Sequence, residues 1–263
     1  MLFRAARKSA RNRNGAVLPG CPTKETIELP IVLLVCGVIA IPVMAIVALV
    51  RTGKLRDSFE ERFAEAHIPV LVGRNADEAT VFGPGLATLS EYRKYLQADA
   101  GVHADEESKA WPASSDADVP GQYLKLENMR FAYGAWAMAR SITRAQQPAY
   151  LYLLTWIETG KRASLGAHHG EELPFLDDAY PSNWGSSSGD RAFGEILRRY
   201  WTNFVMTGDP NSPGLSKWPT FDPGSESVFS LGQTIGPVPM NENLRVMDKI
   251  MAEVLSEERP HRN

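Results

Sequence analysis

Ala149-Tyr150-Leu151-Tyr152-Leu153-Leu154-Thr155-Trp156 is an unbroken apolar and aromatic run introduced by Pro148. Its length and its aromatic content predict a strand buried on both faces. Working upstream, Ile68-Pro69-Val70-Leu71-Val72, closed by Gly73, reads the same way. Between the two runs, Met129, Tyr133, Trp136 and Ala137 recur at helical spacing within Leu124–Gln147. Downstream lies the clearest helix, Asp190–Thr207. There Phe193, Ile196, Leu197, Tyr200, Trp201, Phe204 and Val205 line one face, Gly208 supplies the stop, and Asp209-Pro210-Asn211 the turn. Strand and helix alternate, which predicts an α/β layer architecture. The stretch Ala98–Gly121, rich in Asp, Ser and Pro, reads as a surface excursion.

The chain has 263 residues, 44% hydrophobic and 22% charged, with a formal net charge of −3. That balance is ordinary for a globular protein and argues against nucleic acid as a partner. Two cysteines, Cys21 and Cys36, exclude a disulfide framework and a multi-cysteine zinc site. The N-terminal portion is unlike the rest. Residues 1–28 form a basic tail, and Leu29–Val50 holds no charge. At ~1.5 Å per residue that run would span roughly 33 Å as a helix, the thickness of a bilayer core. A single transmembrane helix over 29–50 is therefore expected; a buried core helix and a cleaved signal peptide are the alternatives. The basic excess before the span predicts a cytoplasmic N-terminus and an extracytoplasmic remainder. Residues 51–66, with Leu55, Phe59, Phe63 and Ala66 among charges, read as a short amphipathic helix leaving the membrane.

Glu78 follows the first predicted strand and His169 follows the second. Both sit on loops, in the order acid then histidine. In a serine esterase a histidine takes the proton of the nucleophile, and a carboxylate on its other ring nitrogen fixes the tautomer and stabilises the imidazolium. Spacing alone leaves this pairing weak, because most loop glutamates and histidines are solvated surface residues.

Three segments add weight. Ile68-Pro69-Val70-Leu71-Val72-Gly73-Arg74-Asn75-Ala76-Asp77-Glu78-Ala79 resembles the acid segment of the type B carboxylesterases. Pro148–Trp156 followed by Leu165-Gly166-Ala167-His168-His169-Gly170-Glu171-Glu172-Leu173-Pro174-Phe175 resembles their histidine segment. Asp190–Asn211 with Lys217-Trp218-Pro219 resembles their C-terminal helix and turn. The likeness runs from His67 to Met240 in family order. It implies a partial α/β-hydrolase fold, the C-terminal strands and helices of the family, over 67–263. It further implies hydrolysis of a carboxylic ester through an acyl-serine, with Glu78 as triad acid and His169 as triad base, and no cofactor. Two departures stand out: Ala79 occupies a position where the family usually has glycine, and His168 one that is more often apolar or aromatic.

The nucleophile is what the sequence lacks. One G-x-S-x-G string, Gly185-Ser186-Ser187-Ser188-Gly189, follows the histidine rather than preceding the acid, and loop-like residues rather than a buried strand lead into it. Ser188 or Asp190 then serves as a helix cap. No glycine-rich oxyanion segment precedes Glu78. No metal site is expected, since His168 and His169 are adjacent and no HExxH pattern occurs. The reading is a triad short of its serine, inactive alone and able to act on a small carboxylic ester if a serine-bearing half completes it. The strand at 68–72 should present an unpaired edge for a partner chain. A membrane-tethered, non-catalytic interaction domain is the alternative from another class, and a complete enzyme using Ser187 the third.

Overall fold

The computed structural model describes residues 33–35 and 68–257, apart from Pro84, Asn183, Glu226 and Glu242. Five strands form one sheet in the order β1 (Leu33–Val35), β2 (Val70–Asn75), β3 (Ala149–Leu154), β4 (Ser227–Leu231) and β5 (Gly236–Pro239). The first four run parallel, and β5 closes the far edge antiparallel to β4. Pro237 and Pro239 blunt that edge, because proline offers no N–H to an incoming strand.

Helices cover both faces, as a parallel sheet requires. The alternation along β2 and β3 decides which residue meets which helix. Leu71, Tyr150, Tyr152 and Leu154 point to one face and pack under α5 (Ser188–Thr207) through Phe193, Leu197, Tyr200, Trp201 and Phe204. Val70, Val72, Ala149 and Leu151 point to the other and meet Ala135, Ala139 and Ile142 of α3 (Val119–Arg144). The small residues on that stripe let the helix lie close to the sheet. Burying each large side chain contributes on the order of 1.5–3 kcal/mol, so the dense aromatic face under α5 is the main anchor of the site-bearing strands.

A third cluster lies outside the sheet. The helices α1 (Leu89–Ala100), α2 (Ala104–Ala110) and α6 (Asn243–Glu257) pack on the N-terminal part of α3 through Tyr92, Leu96, Trp111, Leu126, Met129, Leu244 and Met247. This corrects the reading of Ala98–Gly121 as a surface excursion: Trp111 is only 2% exposed and Tyr92 donates its hydroxyl to the Trp111 carbonyl at 2.9 Å. The stretch looks solvated because its buried acid is matched by Arg130, far along the chain.

Two expectations about the N-terminal portion change. Residues 1–32 and 36–67 lie outside the described ones, including the basic tail, most of the apolar run and the 51–66 helix. Within that run, Leu33-Leu34-Val35 is a strand, paired with Val70-Leu71-Val72 in register. A continuous transmembrane helix through these three residues is thereby corrected. The same apolar residues that would suit lipid also suit the open edge of a parallel sheet. The expected bare edge at 68–72 is corrected with it, since Val70–Val72 has a neighbour on both sides. Among the described residues no helix is long and apolar enough to cross a membrane.

The predicted strands and helices otherwise shift only at their ends. The second strand runs on to Asn75 because Arg74 and Asn75 pair with Leu153 and Leu154. α3 starts five residues earlier than its apolar spacing indicates, with Pro120 in its first turn, where proline costs no hydrogen bond.

Candidate active site

Asn75 ends β2 and starts the site. Its backbone N–H donates to Glu78 Oε1 at 2.7 Å, while its side-chain amide donates to the His168 carbonyl at 2.7 Å and to Glu172 Oε2 at 2.6 Å. One side chain thus joins the acid loop, the histidine loop and the first turn of α4 (Glu172–Asp177). Asp77 repeats the connection. Its N–H donates to the Ala167 carbonyl at 2.9 Å, and its carboxylate accepts the Ala167 N–H at 3.0 Å. Gly166 has φ +71°, and a Cβ there would lie 2.2 Å from Asp77 Oδ2. Only glycine fits both the backbone and the space.

Glu78 begins a 3-10 turn, Glu78–Val81, that carries its carboxyl back under the histidine loop. Glu78 Oε2 stands 2.5 Å from His169 Nδ1. The carboxylate is buried, whereas the His169 side chain keeps 28% of its surface exposed. The Ala79 N–H is taken by Asn128 Oδ1 of α3 at 2.8 Å, and the Thr80 hydroxyl donates to the Leu165 carbonyl at 2.8 Å. Ala79 is not among the residues with positive φ, so alanine sits in this turn without strain. The imidazole is flanked by Phe82 and Phe131, with ring centroids 5.2 and 5.9 Å away. Phe82 is itself 56% exposed, giving the open side of the histidine an apolar wall.

This geometry sets the chemistry available. With Nδ1–H donated to Glu78, Nε2 is the ring's proton acceptor, and a proton taken there would be stabilised by the adjacent carboxylate. Such a pair has the geometry of a histidine held in one tautomer by a carboxylate.

The string Gly185–Gly189 is placed differently. Ser187 is the N-cap of α5: its Oγ accepts the Asp190 N–H at 3.1 Å and donates to Asp190 Oδ2 at 2.7 Å. The cap is therefore Ser187 with Asp190 three residues on, rather than Ser188 or Asp190 alone. Its hydroxyl is committed to a carboxylate, not to an imidazole.

Residues 114–249 match the carboxylesterase family. The chain belongs to that family. It is 33% identical over 181 residues to the fumonisin B1 esterase of Sphingopyxis macrogoltabida, covering 64% of this chain and 33% of that protein. It is 25% identical over 123 residues to the human cocaine esterase, 43% of this chain and 22% of that one. The crystal structure of Aspergillus niger EstA superposes with a TM-score of 0.56 at 18% identity, over 73% of this chain and 42% of that chain, and shows the fold alone. The carboxylesterase chain thus spans a third or less of the curated relatives it matches.

Sequence reasoning placed Glu78 and His169 on loops that follow two strands, and the fold brings them together. It missed Asn75, Glu172, Asn128 and the two phenylalanines. Glu172 gave no local sign of burial, although it lies within the histidine segment. Its carboxyl is nevertheless buried, which pushes its pKa up against the Asn75 hydrogen bond. Among the described residues, no group of three or more His, Cys, Asp or Glu side chains could hold a metal.

Proposed function

We propose that this chain is the acid-and-base portion of a carboxylic ester hydrolase. In it Glu78 and His169 serve a serine that the sequence does not supply, so that the chain alone turns over no ester. The observation that supports this is the 2.5 Å contact of Glu78 Oε2 with His169 Nδ1 beside an exposed apolar wall. With a serine-bearing half in place, His169 Nε2 takes the hydroxyl proton as serine oxygen bonds to the ester carbonyl carbon. Collapse of the tetrahedral intermediate breaks the bond to the alcohol, which leaves with the proton from His169. Water then repeats the sequence on the acyl-serine and releases the acid. The oxyanion donors would come from the same missing half, and such donors are worth ~10²–10³ in rate each. The substrate class is a carboxylic ester with an apolar part to lie on Phe82 and Phe131. A membrane anchor over 29–50 is not part of this proposal, because Leu33–Val35 pairs with β2.

The test is complementation. The purified chain should neither hydrolyse a para-nitrophenyl ester nor react with a fluorophosphonate probe. Co-expression with a serine-bearing N-terminal half from a type B carboxylesterase should restore both, and Glu78→Gln in the restored complex should lower kcat by ~10⁴. Probe labelling of the chain alone would overturn the reading.

A further inference from the structure

His169 does not stand alone at position 169; it follows a second histidine that the proposed chemistry does not use. His168 and Glu171 are buried, at 1% and 0% exposure, in a loop whose neighbouring glutamate, Glu158, is also buried. His168 Nδ1 donates to the carbonyl of His169 at 2.9 Å. Because a carbonyl only accepts, that nitrogen must carry a proton. Its Nε2 stands 2.9 Å from Glu171 Oε2, an ion-pair approach whose angle is not that of a hydrogen bond, and its ring lies edge-on to Trp184 with centroids 5.6 Å apart. Glu171 is held in turn, its Oε1 accepting the Glu158 N–H at 3.2 Å and its own N–H donating to the His168 carbonyl at 3.0 Å. Burial pulls the imidazole toward its neutral form, but Glu171 and the His169 carbonyl together outweigh it and hold its pKa above the ordinary histidine value.

The consequence falls on the backbone of His169. The peptide plane before it is pinned by Asn75 on the His168 carbonyl, at 2.7 Å. The plane after it is pinned by His168 on the His169 carbonyl. Together these fix both φ and ψ of His169, and hence the direction in which its Cβ leaves the chain. The next residue, Gly170, has φ +76° and a Cβ there would meet only Leu173 Cδ1 at 3.6 Å. A glycine adds no steric stiffness to the second plane, so a side chain must supply it.

We infer that His168, clamped by Glu171, is a positioning residue that orients His169 toward Glu78. The inference rests on the acid-base reading above. A family-like apolar residue at 168 has no donor with which to hold the His169 carbonyl.

Ring ¹⁵N and ¹H spectra of the full chain, with isotope-labelled histidine, test this without any turnover. The wild type should show His169 in the Nδ1–H tautomer, with a downfield ring proton that disappears in Glu78→Gln. Absence of that signature in the wild type overturns the acid-base reading, and this inference with it. If it is present, His168→Phe and His168→Gln should lower the ratio of Nδ1–H to Nε2–H at His169 by about five- to tenfold, the worth of one buried hydrogen bond. His168→Asn, whose amide can take the place of Nδ1, should restore the wild-type ratio. Backbone amide spectra establish that each variant is folded; should His168→Phe not fold, the contrast of Gln with Asn decides alone. An unchanged His169 tautomer in a folded His168→Gln, or an equal loss in Gln and Asn, overturns the positioning role while leaving Glu78 and His169 as they were.

Discussion

Two regions of this molecule bury carboxylates, and they treat them differently. Around the histidine loop, two of the acids, Glu158 and Asp190, are met by fixed neutral donors. Glu158 receives the backbone N–H groups of Gly160, Arg162 and Gly185. Asp190 receives Trp156 Nε1, the Thr159 and Ser187 hydroxyls and the Ser187 N–H. In the helical layer, by contrast, Asp99, Glu107 and Glu127 share one cation, Arg130, at 2.5, 3.1 and 3.0 Å. The outcomes diverge. Burial works against the Asp190 anion, but the Thr159, Trp156 and Ser187 hydrogen bonds outweigh it and hold its pKa below the usual carboxylate range. Burial pushes Glu107 up to about 7, against the pull of Arg130. Several oriented dipoles keep a buried carboxylate ionised better than a third share in one guanidinium.

The contrast is broken most severely at Glu158. Glu158→Ala leaves three backbone donors without their acceptor, that of Gly185 buried and those of Gly160 and Arg162 part-buried, and an unpaired buried donor costs ~1–3 kcal/mol. Urea unfolding should register a loss of about 3 kcal/mol or more; a loss below 1 kcal/mol would mean that water replaces the carboxylate and that the acid is dispensable. The helical layer should respond to pH instead. Between about 4.5 and 7 the folded chain keeps a proton on Glu107 that the unfolded chain releases. Unfolding therefore sheds a proton over that window, and stability falls as pH rises through it, by on the order of 1–3 kcal/mol. Thermal melts should show a lower Tm at pH 8 than at pH 5.5, and Glu107→Gln should flatten that slope. A slope unchanged in the variant would remove Glu107 as its source. The smallest change is Ser187→Ala, which takes the cap from α5 and one donor from Asp190. It should cost about 1 kcal/mol of stability and leave the rate of the complemented enzyme unaltered. Abolished activity in that variant would return Ser187 to candidacy as nucleophile.

How much of this was legible depended on whether a signal was local. β3, α5 and the two loops were readable because apolar runs, helical spacing and turn residues lie within one short window. The capping box of Thr88 and Glu91 announces α1, and Leu244, Met247 and Met251 recur at helical spacing in α6, so both helices had local signals that went unread. β1 was misread for a different reason. Leu33-Leu34-Val35 is equally apolar in a membrane helix and in a strand of a parallel sheet, and only the pairing with β2 distinguishes them.

The sequence by itself determined the α/β class and the family resemblance and singled out Glu78 and His169 as candidates, because each rests on residue types in a fixed order. Only the tertiary structure decided that β2 and β3 pair in parallel, which delivers the acid loop and the histidine loop to the same end of the sheet. It also decided that Asn75 ties the two loops together and that His168 turns inward to Glu171 instead of outward to solvent. The strand pairing and the Asn75 tie follow from contacts between residues some eighty to ninety positions apart, which no local pattern encodes. The inward turn of His168, toward a residue only three positions on, follows from the burial of this part of the loop.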